Sequence, residues 1–515
     1  MTGGIRATFP GLRCDMLYNS SRGGREKLTA AAAIKTGIAP DGGLFVPESV
    51  PLIDQNFLAA LIPLNYQQRA VSILEPFLAD YSREEITACV DAAYGAAKFD
   101  HPAVAPVTAL DDGTYMLELW HGPTSAFKDM ALQILPQLLV RALAKTGETA
   151  EIVILVATSG DTGKAALEGF RDVERTRIVV FFPHEGVSEM QRLQMVTQEG
   201  GNVAVVAVCG NFDDTQSGVK RIFGDHAAGE QLAARGFKLS SANSINWGRL
   251  LPQIVYYFSA YADLLKGGAV AAGQPVNFVV PTGNFGNILA GYYAKLMGLP
   301  VNRLVCAANA NNVLTDFLRT GVYDRRRSFH KTLSPSMDIL ISSNLERLLY
   351  HVTGGDSAQV AAWMKQLNAD GVYRVEGRPL AAIQDTFWSD WAGDRETTAE
   401  IKAVYDRYRY LVDPHTAVAT RVLKKYREAT GDVVPAVVVS TASPFKFNDS
   451  VLAALAGPEA LIGKSSFAAA RELSRLTGSP MPPSLAGLEH KAVRHKAVCD
   501  PGEMKTMVDE ALAMK

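Results

Sequence analysis

The sequence predicts an α/β fold built on parallel, twisted sheets with helices on both faces. Three observations predict it. Between about residue 107 and residue 310, short β-rich runs alternate with longer stretches of helical spacing. The runs are nearly continuous in valine and isoleucine, as in strands buried on both sides. Polar segments rich in glycine, serine and threonine follow several of the runs directly, and open parallel sheets bind ligands at the carboxyl ends of their strands.

The elements follow in chain order. Residues 1 to about 105 mix loops with helical stretches at 57–61 and 83–97, and Pro102 and Pro106 mark a boundary. Strands are expected at 152–157, 178–182, 203–208, 278–280 and 304–308. Helices are expected between and around them, at 126–145, 163–172, 188–198, 247–266 and 287–297. Residues 310–400 are more charged. Their basic run DRRRSFHK (324–331) reads as a solvated surface loop, because charge is cheap to leave in water. The α/β pattern resumes with a helix at 415–428 and a strand at 436–440, and the last 50 or so residues read as closing helices and loops. No period of repeat length is present.

Composition narrows the function. The 515 residues carry 51 Lys and Arg against 53 Asp and Glu, a net charge of -2, so no basic footprint for nucleic acid exists. Apolar residues are 48% and charged residues 20%, an ordinary globular balance. No apolar run approaches a membrane span, and the N-terminal MTGGIRATFPGLRCD lacks the apolar core of a signal peptide. The five cysteines (Cys14, Cys89, Cys209, Cys306, Cys499) are scattered without CxxC, which fits a reducing compartment. A cytoplasmic protein is expected, with residues 1–15 as a tail. The nine histidines form no close metal pair, so no metal is expected.

Five segments carry possible chemistry. PTGNFGN (281–287) follows a strand and opens a helix; Gly283 and Gly286 let successive N–H groups converge, which suits a phosphate, although a plain tight turn also fits. ATSGDTGKAAL (157–167) repeats the arrangement, with Ser159, Asp161 and Thr162 at a helix N-terminus suited to a carboxylate or phosphate. An ordinary cap by Asp161 or Thr162 fits too. Its Gly163-Lys164-Ala165 is not a P-loop, since Thr158 replaces the leading Gly and Ala165 the magnesium-binding hydroxyl. SANSINWGRLLPQ (241–253) sets Asn243, Ser244, Asn246 and Arg249 before an apolar helix, and the Arg249 fork suits phosphate or carboxylate, although a helix cap with a surface Arg also fits. VVVSTASPFKF (437–447) ends a strand in Ser440 and Thr441, whose hydroxyls could meet a heteroaromatic nitrogen or simply make a turn.

The fifth segment is LWHGPTSAFKDMALQ (119–133). Lys128 lies in an apolar stretch beside Phe127 and Asp129. It is either a surface residue with a buried stem or a desolvated amine of lowered pKa, able to form a Schiff base with a carbonyl cofactor. Ser125-Ala-Phe-Lys128 also matches the S-x-x-K of serine acyl-enzymes. The order of the accompanying motifs excludes that reading, because both Lys-Thr-Gly triplets, at Lys35 and Lys145, precede the Ser244-Ile-Asn246 echo of the second motif, which they should follow. His121, beside the Lys motif, reads as a structural or substrate-contact residue.

Taken together these segments resemble threonine synthases of the long, bacterial and fungal type, within the fold-type II family of pyridoxal 5'-phosphate enzymes. The resemblance runs from MLYNSSRG (16–23) and DGGLFVPE (41–48) through HGPTSAFKD, TSGDTG, NSINWGRLLPQ, GNFGN and VDPHTAVA (412–419) to STASPFKF. It implies a tryptophan synthase β-like fold: two parallel-sheet α/β domains and a smaller N-terminal domain. The boundaries expected are 1–105, 106–455 with a helical, charged insertion around 310–400, and 456–515. It implies that Lys128 forms the Schiff base, that Gly283, Asn284, Phe285, Gly286 and Asn287 bind the cofactor phosphate, that Thr441 meets the pyridine nitrogen, and that Asp161 lies beside the ring. Ser159 and Thr162 would hold the substrate carboxylate, and Ser244, Asn246 and Arg249 its phosphate. A neutral Thr in place of an Asp would protonate the ring nitrogen less.

The activity the resemblance implies is the last step of threonine formation, from O-phospho-L-homoserine and water to L-threonine and phosphate. Lys128 serves as both base and acid in it. The alternative is a related lyase that ends in a keto acid. A monomer or homodimer without nucleic-acid or membrane partners is expected.

Overall fold

The computed structural model describes residues 16–185 and 187–513. The expected tail at 1–15, with Cys14, lies outside the described residues. Two sheets organise the molecule. The larger has six strands in the order Phe387–Trp391, Val301–Ala308, Val276–Pro281, Ala436–Ser440, Thr114–Glu118, Val107–Asp111. All neighbours are parallel except the last pair, an antiparallel hairpin. The smaller has five parallel strands in the order Ala497–Cys499, Val203–Val208, Thr176–Pro183, Glu151–Ala157, Phe237–Ser240.

The chain interleaves the two. It lays down the hairpin of the larger sheet, leaves to build most of the smaller, and returns along the helix Trp247–Lys266 to complete the larger. The C-terminal strand Ala497–Cys499 then crosses back to the smaller sheet. The helix Trp247–Lys266 is buried along most of its length, which explains why it is apolar nearly all round. The strands Val276–Pro281 and Ala436–Ser440 are buried at every position, as their Val-rich sequences require.

The expected strands at 203–208 and 436–440 are found with those bounds, and the other four are present with wider limits. One expectation is corrected. The single helix at 126–145 is two helices, Asp129–Leu132 and Leu135–Lys145, and Ala126 lies in an extended bridge with Ala442. Pro136 has no N–H for the Leu132 carbonyl, and Gly169 packs directly on that carbonyl. The strands Phe237–Ser240, Phe387–Trp391 and Ala497–Cys499 were not expected. All three lie at sheet edges, are short, and carry polar residues or little length to betray them. The basic run 324–331 leaves a short strand as a solvent-facing loop, tied by Arg327 to Asp316. Among the described residues no helix is long and apolar enough to cross a membrane.

Candidate active site

Parallel pairing delivers three of the motifs to one edge. Ser440 stands opposite Glu118, and the strand Val276–Pro281 flanks the same central strand on its other side. The segments that leave these strands are 119–128, 441–447 and 282–287. Ser125 adopts φ 56, turning the chain so that the Phe127 N–H donates to the Thr441 carbonyl (2.8 Å) and the Ser443 N–H to the Ser125 carbonyl (3.0 Å). The Lys128 and Thr441 backbones are thereby held side by side. Asp129 clamps the turn: its carboxylate accepts the Thr124 N–H and hydroxyl, both at 2.8 Å. A side chain on Gly122 would strike Asp129 at 2.6 Å, so the turn closes only over a glycine.

Lys128 precedes the helix Asp129–Leu132, and its amine donates to the Ser336 hydroxyl at 3.3 Å. Burial pushes the amine down to about 8; Asp161 opposes this, and the cations Lys446 and Arg249 add to it. The Ser336 hydroxyl in turn donates to Asp161 Oδ2 at 3.2 Å. Asp161 is 6% exposed. Its Oδ1 faces the Lys446 ammonium at 2.8 Å and accepts from Gln191 at 3.0 Å. Burial alone would raise the Asp161 carboxyl, but Lys446 and then Lys128 outweigh it and hold the group far below the ordinary carboxylate range.

The glycine loop closes over this cluster from the other side. Phe285 takes a left-handed conformation (φ 62), after which the helix Gly286–Met297 begins. The carbonyls of Gly283 and Asn284 are tied outward to the Ser342 hydroxyl (2.8 Å) and the Asn344 amides (both 3.1 Å). The N–H groups of Gly283, Asn284, Phe285 and Gly286 meet no acceptor among the described residues. Asn287 Oδ1 accepts from Tyr256 (2.6 Å) and Tyr257 (2.8 Å), which turns its buried Nδ2 away, without a partner. Converging N–H groups at a helix N-terminus form an anion cradle, and these residues fit the phosphate of pyridoxal phosphate.

A second cradle comes from the smaller sheet. After the strand Glu151–Ala157, the Thr158 hydroxyl accepts the N–H groups of Gly160 (3.0 Å) and Gly163 (2.9 Å). Thr158 therefore caps the helix Asp161–Phe170. The alternative of a cap by Asp161 or Thr162 is not realised, because the Asp161 carboxylate is drawn to Lys446. Ser159 is exposed and Thr162 half-buried, and their N–H groups meet no acceptor among the described residues.

Arg249 is 4% exposed. One guanidinium nitrogen donates to the Ala242 carbonyl at 2.7 Å, Nε is buried without a partner, and no carboxylate among the described residues pairs with it. Burial pushes its pKa down to about 10. A buried cation without an acid is costly and marks a place for an anion. Ser244 lies at hydrogen-bonding limit from Asn344 (3.3 Å) and Ser343 (3.5 Å). Asn246 differs from its neighbours. Its Oδ1 caps the helix Trp247–Lys266 through the Gly248 N–H (2.8 Å) and its Nδ2 donates to the Ile34 carbonyl (2.9 Å), so both ends of its amide are engaged.

Three contributors were not singled out by sequence. Ser336 lies in a stretch that reads as charged insertion, Lys446 sits inside the quoted STASPFKF, and His415 inside VDPHTAVA. His415 Nε2 accepts the Ser336 N–H at 3.1 Å, so its proton lies on Nδ1, facing Asp413 at 2.5 Å. The available signal was a second lysine in an apolar setting, PFKF, echoing AFKD.

The chain is similar to known proteins along most of its length. Residues 17–94 match the family Threonine synthase N terminus, residues 107–383 the family Pyridoxal-phosphate dependent enzyme, and residues 416–508 the family Threonine synthase, C-terminal. A threonine synthase of Pseudomonas aeruginosa is 42% identical over 437 residues, covering 85% of this chain and 90% of that protein. A threonine synthase-like 1 protein of Pongo abelii is 41% identical over 445 residues, but the match spans 84% of this chain and only 59% of that longer protein. The crystal structure of a pyridoxal-phosphate-bound threonine synthase from Brucella melitensis superposes with a TM-score of 0.86 at 38% identity, covering 96% of this chain and 99% of that one. Two parallel-rich sheets are thus shared architecture, and the chain belongs to the threonine synthase family of pyridoxal-phosphate-dependent enzymes.

Proposed function

We propose that this chain converts O-phospho-L-homoserine and water to L-threonine and inorganic phosphate. The observation that carries the reading is Arg249: a buried guanidinium without an acidic partner, within electrostatic reach of Lys128. A substrate with one phosphate and one carboxylate would satisfy it and the cradle at 158–163 together.

In this reading Lys128 holds pyridoxal phosphate through its amine, the loop Gly283, Asn284, Phe285, Gly286 and Asn287 holds the phosphate, and the Thr441 hydroxyl meets the ring nitrogen. Bound there, the cofactor supplies an electron sink for the carbon next to the substrate's amino group. The chain's own groups do the rest. Lys128 Nζ, of lowered proton affinity, takes a proton from that carbon and from its neighbour and returns protons later. The Ser159 and Thr162 N–H groups orient the carboxylate. Arg249, with the Ser244 hydroxyl, stabilises the departing phosphate. Asn246 holds the helix that carries Arg249, and Asp161 lies beside the ring.

The test is incubation of the purified chain with O-phospho-L-homoserine, following free phosphate and the organic product. Equal amounts of phosphate and L-threonine support the proposal. Phosphate with a keto acid moves the function to a phospho-lyase on the same site, and no phosphate with cofactor bound overturns the substrate.

A further inference from the structure

We propose that Lys446 is a positioning residue of the active site: through its ion pair with Asp161 and the Ser336 bridge, it keeps the Lys128 nitrogen in its unprotonated, carbonyl-reactive form. The inference rests on the reading of Lys128 as the amine that takes up pyridoxal phosphate.

Lys446 lies within the short turn Pro444–Phe447, and its side chain is 0% exposed. An ammonium taken fully out of water is tolerated only when paired. Its partners are Asp161 Oδ1 at 2.8 Å and the Thr124 carbonyl at 3.0 Å. Thr124 belongs to the turn that Asp129 clamps around Lys128. Lys446 therefore ties together the segment before Lys128, the helix Asp161–Phe170 and its own turn.

The two oxygens of Asp161 have different duties. Oδ1 is taken by Lys446 and Gln191, while Oδ2 accepts from Ser336, which accepts from Lys128. A buried carboxylate must be answered by a positive charge. Were Lys446 absent, the nearest remaining cation along this chain of contacts would be Lys128. Held as an ammonium, Lys128 has no lone pair to add to a carbonyl. The Lys446 ion pair on the far oxygen relieves it of that duty.

The other charged groups around Lys128 do not replace this arrangement. Arg249, on the helix Trp247–Lys266, adds positive potential but pairs with no acid. Asp129 turns to Thr124, and burial pushes its carboxyl up to about 7. His415 turns Nδ1 to Asp413, which is thereby engaged away from Lys128, and meets the site only by accepting the Ser336 N–H at Nε2. The Lys128 value of about 8, with burial as its largest cause and Lys446 among the others, agrees with the geometry.

The experiment mixes cofactor-free protein with pyridoxal phosphate over a pH series centred on about 8. The rate of cofactor capture is followed by visible absorbance, and thermal melting confirms folding. For Lys446→Met the midpoint of the rate profile should move alkaline by about one pH unit, a roughly tenfold slower capture below it. Lys446→Arg, which keeps the charge, should restore the wild-type midpoint. Lys446→Gln removes the charge but keeps hydrogen bonding, and repeats the test if the Met variant does not fold. An unmoved or acid-shifted midpoint in folded, charge-free variants overturns the inference and leaves Lys446 as a tie between segments. Lys128→Ala separates the two levels: if it develops the wild-type absorbance, the Lys128 reading itself fails, and this inference with it.

Discussion

A methyl group added to Gly283 would stand 2.6 Å from the Ser336 carbonyl oxygen. The glycine loop and the segment that contacts Lys128 are pressed together backbone to backbone, and the same segment bonds to His415, Asp161 and Lys128. The cradle and the amine are therefore one mechanical unit.

Gly283→Ala tests this unit. A backbone oxygen cannot swing aside like a side chain, so the loop must move. Overpacking of this kind costs about 1–3 kcal/mol, and pyridoxal phosphate affinity should fall about tenfold or more. A fluorescence titration of cofactor-free protein measures it. Wild-type affinity in the variant would remove 283–287 from the phosphate site.

Lys128→Ala should abolish threonine formation, because it removes both the tether and the group that moves protons, together worth about a thousandfold or more. Steady-state product assays check this. Threonine formation near the wild-type rate would sink the assignment of Lys128.

Arg249→Met separates stability from function. The guanidinium is a buried cation without an acid, so an apolar replacement of similar length should leave the melting temperature of the cofactor-free protein unchanged or higher. The same change should raise KM for O-phospho-L-homoserine about a hundredfold, the loss of a charged hydrogen bond to phosphate, with little effect on cofactor affinity. Equal losses of cofactor and substrate binding would place Arg249 elsewhere.

His121 gives a pH-dependent tie. Its ring meets Asp100 at 2.7 Å and Glu118 at 2.8 Å. Burial works against its charge, but these two carboxylates outweigh burial and push its pKa up to about 9. The folded value lies above the ordinary 6.5, so the folded state binds the extra proton. The stabilisation is therefore full below about 6.5 and is lost as pH rises through about 9. Melting temperature should fall by a few degrees over that window, and His121→Gln should flatten the fall. An equal slope in the variant would assign the pH dependence to other groups.

Much of the architecture is legible in the chain itself. The runs at 203–208 and 436–440 announce themselves as strands because strands buried on both faces must be apolar at every position. Lys128 and the loop 283–287 stand out for a related reason. An amine in an apolar stretch, or glycines between strand and helix, is a local departure from what packing alone would select. The helix expected at 126–145 fails partly at Pro136, a local signal, and partly through contacts from outside it. Ala126 is claimed by Ala442, and the Leu132 carbonyl lies against Gly169.

By itself the sequence determined the alternation of strands and helices, the buried character of the strands, and the segments that end at the carboxyl edge. Periodicity and turn chemistry are local properties, and the chain carries them residue by residue. Only the tertiary structure decided which charges meet. Asp161 turns away from its own helix end to Lys446, Ser336 bridges it to Lys128, and Asn246 spends its amide on a cap and on Ile34. Apart from that cap, these partners lie far apart in the chain and become neighbours only when the segments pack together. Coulomb energies and hydrogen bonds act over a few ångströms of space, so partner choice is settled by packing and leaves no spacing in the sequence.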